Sequence, residues 1–233
     1  MIYWMGRYLN KEVVKMSHII PHIPGKLNVN VECGMEEWSR ERELEDRRLY
    51  LYGEIESIDF ESKCLYAGVS MTSKLVERIL DFNRLDEGLA PEDREPIRLY
   101  INSPGGELTE GFALVSAIKM SKTPVYTINV GEWCSMAFMI GITGHKRFSL
   151  PYMTFLMHEG TSFVVGSAGK AHDRAKFNED FKNKVMKPHV LAHGKMPEAQ
   201  YDALERVEFY MLPEDALAYG FIDVIVTDID DIL

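Results

Sequence analysis

The apolar residues of this chain follow two alternating periods. Apolar runs of strand type are predicted at residues 48–52, 97–102, 125–130, 146–150, 154–158 and 221–227. Between them, apolar residues recur at helical spacing and predict helices at residues 70–85, 108–120 and 136–144. Because strands and helices alternate in this way, we expect an α/β domain built from βα units around a largely parallel sheet.

A long helix is predicted further along, within residues 166–193. It follows a glycine-containing lead-in, and its apolar positions are Ala175, Phe177, Phe181, Val185, Met186, Val190 and Leu191. A helix of this length that projects from a compact domain needs a partner to cover it. His172, His189 and His193 lie on or near it without paired acids, which favours solvated histidines over a metal site.

Residues 1–47 differ in pattern from the rest of the chain. Pro21, Pro24 and Gly25 interrupt any long element, and residues 36–48 are crowded with Glu and Arg. This composition indicates an exposed or conditionally ordered segment. We therefore expect an N-terminal extension at 1–47, one compact domain at 48–228 and a short tail at 229–233.

Composition narrows the classes of function. The chain has 233 residues, of which 46% are apolar, enough for one substantial core. Its net charge of −10, with Lys and Arg spread along the sequence, argues against binding to nucleic acid or an anionic membrane. No uncharged stretch reaches the roughly 20 residues needed to span a bilayer. Arg7 and Lys11 leave no room for a secretory signal, so we expect a cytoplasmic protein.

Ser135 is the first candidate for chemistry. It lies between the strand at 125–130 and the uncharged apolar stretch at 136–142, which puts its hydroxyl at the first turn of a buried helix. Free N–H groups and the positive end of the helix dipole would stabilise an oxyanion there, but an ordinary N-cap serine fits the same pattern. Cys134 is a rival nucleophile, although we expect it to be a buried thiol, and the three cysteines form no C-x-x-C pair.

Two further strand ends carry candidate groups. The strand at 97–102 runs into Ser103-Pro104-Gly105-Gly106, where glycines allow positive φ and could bring an N–H close to an oxyanion. The strand at 154–158 ends in His158, which is placed to act as a general base. Taken singly, these are equally compatible with a plain turn and a surface histidine.

In this order and spacing, the three segments resemble the proteolytic subunit of the caseinolytic (Clp) protease, a family of serine peptidases. The resemblance runs over about residues 48–228 and includes the opening strand at 48–53 and the segment at 213–223. It implies Ser135 as nucleophile and His158 as general base. By the same resemblance, the oxyanion donors are the N–H groups of Gly106 and Met136, and the substrate lies beside Phe163, Val164, Val165 and Gly166.

The resemblance also implies a carboxylate as the third triad member. Counting back without gaps from Ala218-Tyr219-Gly220 puts Glu208 where the family usually has an aspartate. A glutamate is one methylene longer and can still hold the imidazole tautomer. Asp202, Glu205 and Asp215 are alternatives.

The implied fold is the spiral of ββα units shared by Clp proteases and crotonases, with a projecting handle helix. The implied function is a serine endopeptidase that degrades unfolded polypeptides inside two stacked heptameric rings, a tetradecamer. An AAA+ ATPase unfoldase ring would deliver the substrate, since this chain has no phosphate-binding loop for ATP. No metal or cofactor is implied, and residues 1–47 would be axial pore loops, a propeptide or a plain flexible leader.

Two other functions remain open from the sequence. A non-catalytic ring subunit would fit the change to Glu208, the loss of a family arginine at Val207, and Glu159-Gly160 in place of Gln-Pro. A crotonase-type acyl-CoA enzyme would fit the ββα spiral and an oxyanion hole of two N–H groups. It would not use a Ser-His pair.

Overall fold

The computed structural model describes residues 47–56, 70–161, 164, 166–204 and 206–233. The predicted extension at 1–47 lies outside these residues, apart from Arg47. Seven strands of the described part form one sheet: β1 Arg48–Tyr52, β2 Ile97–Ser103, β3 Val125–Cys134, β4 Lys146–Ser149, β5 Thr154–Met157, β6 Phe209–Met211 and β7 Val224–Ile225.

The sheet is largely parallel, as the sequence predicts. Its main path has the order β1-β2-β3-β4-β7, and all of these neighbours are parallel. The long strand β3 pairs with β4 at residues 126–129 and then with β5 at residues 132–134. Strand β6 adds to β5 in the antiparallel sense. Because β3 changes partner along its length, its C-terminal end and that of β5 lie side by side.

The helices are α1 Met71–Leu85, α2 Leu108–Met120, α3 Met136–Gly141, α4 Ala168–Phe181, α5 Lys187–Ala192, α6 Glu198–Leu204 and α7 Pro213–Ala218. The N-cap of α1 is Ser70, whose side chain accepts a hydrogen bond from the N–H of Ser73. The predicted helices at 70–85 and 108–120 are confirmed, and the one at 136–144 ends earlier, at Gly141.

The predicted long helix is present as α4, a π-helical segment Lys182–Met186, and α5. We call residues 168–192 the handle helix. In the π-helical segment the N–H of Lys187 donates to the carbonyl of Lys182. The next residue, Pro188, has no N–H, which explains why the regular bonding pattern changes here. No residue of α4 is buried, whereas Met186 and Val190 anchor the base of the handle helix in the core.

The core lies between the sheet and the helices α1, α2 and α3. Its largest fully buried side chains include Trp133, Phe138, Phe155 and Phe221. The rings of Trp133 and Phe155 meet edge to face with centroids 5.4 Å apart, and those of Phe138 and Phe221 at 5.0 Å. The first contact joins β3 to β5, and the second joins α3 to the turn that follows α7. No helix in the described ranges is both long and apolar enough to cross a membrane.

The predicted strand at 221–227 is reduced to the two residues of β7. Gly220 has φ 68°, and the N–H of Phe221 donates to the carbonyl of Ala216 at 2.8 Å. Phe221 therefore belongs to the turn that ends α7. Its apolar character reflects burial in the core and not pairing in the sheet.

Candidate active site

Ser135 forms the whole connection between β3 and α3. Its backbone has φ 53° and ψ −119°, a conformation that L-residues rarely adopt and that costs about 1–3 kcal/mol. The structure holds it there: the Ser135 N–H donates to the carbonyl of Leu156 at 2.9 Å, and the Met139 N–H donates to the Ser135 carbonyl. The Ser135 side chain makes no capping hydrogen bond to α3, so it is not an ordinary N-cap serine.

A glycine turn packs directly against this serine. Gly105 has φ 99°, and a Cβ built on it would lie 2.6 Å from the carbonyl oxygen of Cys134 and 2.7 Å from the Cβ of Ser135. Gly106 has φ 143°, and a Cβ there would lie 2.2 Å from the carbonyl oxygen of Ile55. Both positions therefore require glycine, because bare backbone must approach both Ser135 and Ile55.

The N–H of Gly106 points away from Ile55. The Ile55 N–H donates to the carbonyl of Gly105 at 2.8 Å, and the Glu107 N–H donates to the carbonyl of Ile55 at 2.8 Å. In such a parallel pairing the middle residue, Gly106, directs its own N–H away from the partner. The N–H of Met136, at the start of α3, has no acceptor within the helix. The bridge to Ile55 therefore does not use the first of these donors, and α3 does not use the second.

His158 and Glu208 meet because of the pairing of β5 with β6. His158 directly follows β5 and Glu208 directly precedes β6, next to the register pair Met157 and Phe209. The Nδ1 atom of His158 lies 2.8 Å from Oε1 of Glu208. The Nε2 atom of His158 is buried and has no hydrogen-bond partner among the described residues. One ring nitrogen is thus held by a carboxylate and the other is open to a second group.

The alternative carboxylates have other partners. Asp202 accepts a hydrogen bond from Nζ of Lys187 at 2.6 Å, and Asp215 accepts one from the N–H of Leu212 at 3.2 Å. Glu205 lies outside the described residues. Glu208 is the carboxylate that the structure brings to His158.

Cys134 is a structural thiol. It is the last residue of β3, it is 5% exposed, and its Sγ donates to Oε2 of Glu132 at 3.4 Å. Burial and the negative charge of Glu132 raise the pKa of the Cys134 thiol to about 12. Because the thiolate is the nucleophilic form, a thiol in this state does not compete with Ser135 at neutral pH.

Ser135 and His158 line one open cavity of about 1300 Å³. Gly106 and Met136 line it too, together with an apolar wall formed by Phe112, Met139, Phe181 and Met186. Of the predicted substrate strand, Val164 and Gly166 are in no strand and do not line the cavity, and Phe163 and Val165 lie outside the described residues. Four of the predicted site residues therefore line the cavity. Glu208 does not line it, but it contacts His158, which does.

The segment after His158 differs from the usual family pattern for a structural reason. Gly160 has φ 80°, which proline cannot adopt because its ring holds φ near −65°. Glu159 instead forms a long ion pair, 3.9 Å, with Arg206. This pair connects the segments that carry His158 and Glu208.

The sequence interpretation of His189 as a solvated histidine is wrong. His189 is 8% exposed, and its Nε2 lies 3.0 Å from the carbonyl oxygen of Met139 on α3. His172 is exposed, as expected, and His193 is half-buried. In the sequence, His189 lies three residues after Met186 and directly before Val190, and both of these are predicted apolar positions of the helix. That spacing is the signal by which its burial could have been found.

Comparisons with known proteins agree on one family. The family profile described as Clp protease matches residues 71–228. The chain is 32% identical over 191 residues to the ATP-dependent Clp protease proteolytic subunit of Leuconostoc citreum (strain KM20), covering 80% of this chain and 86% of that protein. It is 29% identical over 173 residues to the ATP-dependent Clp protease proteolytic subunit 2 of Thermobifida fusca (strain YX), covering 73% of this chain and 83% of that protein.

Proposed function

The chain belongs to the Clp protease family, and on that premise we propose that Ser135, His158 and Glu208 are the catalytic triad of a serine endopeptidase. The chain is a protease of this family, and its fold is the α/β fold of the family. The observation that carries the triad is the joint position of two groups in one cavity: a serine on a strained strand-to-helix turn, and a histidine held by a carboxylate.

The reaction is acyl transfer. The Ser135 hydroxyl attacks the peptide carbonyl while Nε2 of His158 takes its proton and later returns that proton to the leaving amine. Glu208 accepts the hydrogen bond of Nδ1, which fixes the tautomer that leaves Nε2 free as a base and stabilises the imidazolium. Water then attacks the acyl-enzyme by the same route in reverse.

The developing oxyanion is held by two N–H groups. Gly106 and Met136 both line the cavity with Ser135, and among the described residues neither backbone N–H has a strand or helix partner. Fixed donors of this kind stabilise the tetrahedral intermediate without reorganisation during the reaction. They would also explain why the chain requires two glycines at this turn.

Substrate choice depends on access. We infer that the chain assembles into stacked heptameric rings that enclose the active sites, and that an AAA+ ATPase ring unfolds polypeptides and delivers them in the cytoplasm. The exposed α4 supports assembly, because none of its residues is buried by its own chain and Phe177 is 56% exposed. The extended substrate would lie beside Phe163, Val164, Val165 and Gly166, and Val164 and Gly166, which are in no strand in this structure, would pair with it on binding.

The proposed function is tested by hydrolysis of polypeptides of different length and fold. Purified protein should cleave a short fluorogenic peptide and an unstructured polypeptide, and it should leave a folded protein intact when no ATPase is added. Ser135→Ala should remove all cleavage and keep the elution volume on a sizing column. Full cleavage by Ser135→Ala would reject the assigned nucleophile, and the absence of any cleavage by the unmodified chain would favour a non-catalytic ring subunit.

A further inference from the structure

The helix that follows Ser135 is short and is held at its C-terminal end by side chains from outside it. Helix α3 has six residues, all of them buried. The last carbonyl oxygens of a helix receive no hydrogen bond from an N–H within the helix, so they need donors from elsewhere. Thr127 donates to the carbonyl of Gly141 at 2.7 Å, and Thr143 donates to the carbonyl of Met139 at 2.7 Å.

The carbonyl of Met139 receives a further hydrogen bond from the handle helix. Nε2 of His189, on α5, lies 3.0 Å from this oxygen and 3.2 Å from Oγ1 of Thr143. Since a carbonyl can only accept, Nε2 must carry the proton, which fixes the tautomer of His189. His189 thus acts as a donor to α3, although it belongs to a different element.

The environment of His189 keeps the imidazole neutral. Burial, the positive charge of Lys119 on α2 and the neighbouring His193 lower its pKa to about 4. The ring of His193 lies 4.3 Å away between centroids, and the ring of Phe112 on α2 lies 5.9 Å away. Packing on both sides leaves the ring little freedom to turn away from Met139.

Met139 connects the His189 contact to the nucleophile. The N–H of Met139 donates to the carbonyl of Ser135 at 3.3 Å, and the carbonyl of the same residue, Met139, accepts from His189. These two groups belong to adjacent peptide units, so Met139 connects His189 to Ser135 through its own backbone and not through one continuous chain of hydrogen bonds. His189 does not line the catalytic cavity, whereas Met139 does. His189 reaches the cavity through its hydrogen bond to Met139 and through its ring contact with Phe112, which also lines the cavity.

We propose that His189 is a positioning residue, which fixes α3 and the strained Ser135 turn by its hydrogen bond to Met139 and so joins the base of the handle helix to the nucleophile. The proposal rests on the proposed catalytic role of Ser135. It gives a function to a buried histidine that the triad does not use. The neighbouring Met186 and Val190 make the base of the handle helix a fixed support, because both are buried in the core.

A matched set of variants at one position tests this role. His189→Gln carries an N–H donor at about the place of Nε2, His189→Asn carries the same amide one methylene too short, and His189→Leu has no donor. The readouts are kcat and KM on a short peptide, and the rate of Ser135 labelling by a fluorophosphonate. His172→Gln, on the exposed part of the handle helix, is the control.

We expect a graded result. His189→Asn and His189→Leu should lower kcat and the labelling rate by about tenfold, the value of one buried hydrogen bond, with KM little changed. His189→Gln should stay within about threefold of the unmodified protein, as should the control. Equal rates for His189→Gln, His189→Asn and His189→Leu, whether all normal or all low, would overturn the positioning role. Failure of the unmodified protein to label at Ser135 would instead reject the proposed function itself.

Discussion

At the scale of single residues, the site depends on a backbone conformation imposed on Ser135. The positive φ of this serine and the glycine at position 105 form one arrangement, since any side chain at 105 would collide with the Cβ of Ser135. Strain of this kind persists only where the surrounding structure supports it. The hydroxyl is thereby exposed to the cavity, where a regular helix start would have turned it toward the backbone.

The sequence predicts Ser135 and His158 as candidates because each stands at the end of an apolar strand. Glu208 is implied only by the resemblance, on counting back from Ala218-Tyr219-Gly220. The positive φ of Ser135 could not be predicted, because it depends on contacts with Leu156 and Gly105 that are distant in sequence.

The proposed role of Glu208, which is to orient His158, can be tested separately from the roles of Ser135 and His158. Glu208→Gln should keep the fold but favour the wrong tautomer of His158, which lowers kcat by about 10³ to 10⁴. Glu208→Asp should retain substantial activity if the backbone can bring the shorter carboxylate to Nδ1. The measurement is steady-state hydrolysis of a short peptide.

Asp202→Asn is the matched control for this prediction. Asp202 bonds to Lys187 and has no contact with His158, so its amide should leave kcat within about twofold, as for most surface substitutions. Near-normal activity of Glu208→Gln beside an inactive Asp202→Asn would show that another carboxylate orients His158.

Among the elements, the proposed active site lies where three strand ends meet. Strands β2, β3 and β5 deliver Gly106, Ser135 and His158, and β6 adds Glu208 by pairing with β5. The parallel order of these strands followed from the alternation of apolar patterns. The antiparallel β6 is only three residues long, too short to give a periodic signal of its own.

The buried His189 predicts a pH dependence of stability. Its pKa is lowered from an ordinary value of 6.5 to about 4 in the folded chain, mainly by burial, so the unfolded chain binds its proton first. Stability should therefore be unaffected above about pH 6.5 and should fall as the pH drops toward about 4, by roughly 2 kcal/mol at pH 5.

Urea unfolding at pH 7.5 and pH 5 measures this effect. Because His189→Gln has no titratable group, its midpoint should fall less between the two pH values than the midpoint of the unmodified protein. His193 also titrates with a lowered pKa, so the variant His193→Gln is measured beside the other two proteins to separate its part of the fall. An equal fall in both proteins would contradict the burial of a neutral His189.

In the molecule as a whole, the described residues form a compact part and a helix, α4, that packs on it at its end through Phe181. Helix α4 buries none of its residues, and it follows immediately on the segment that carries His158. Its length was predicted from the apolar period. The π-helical segment at its base was not, because that depends on how Pro188 is fitted against the core.

An isolated chain with such a helix should not be the stable form. On a sizing column at physiological salt, the protein should elute at several times its chain mass of 26.7 kDa. Phe177→Glu should shift the protein toward smaller species, because it places a charge on the exposed apolar face of α4. Lys170→Glu on the same helix is the control. A monodisperse monomer would contradict the proposed assembly into rings that enclose the active sites.

If Ser135 is an activated nucleophile, a fluorophosphonate should form a covalent adduct on it. After labelling, digestion and fragmentation by mass spectrometry, we expect one adduct, on Ser135. The adduct should be lost in Ser135→Ala, strongly reduced in Glu208→Gln and retained in Cys134→Ala. An unlabelled Ser135 in a preparation that still cleaves peptides, or an adduct on Cys134 in its place, would show that Ser135 is not the nucleophile.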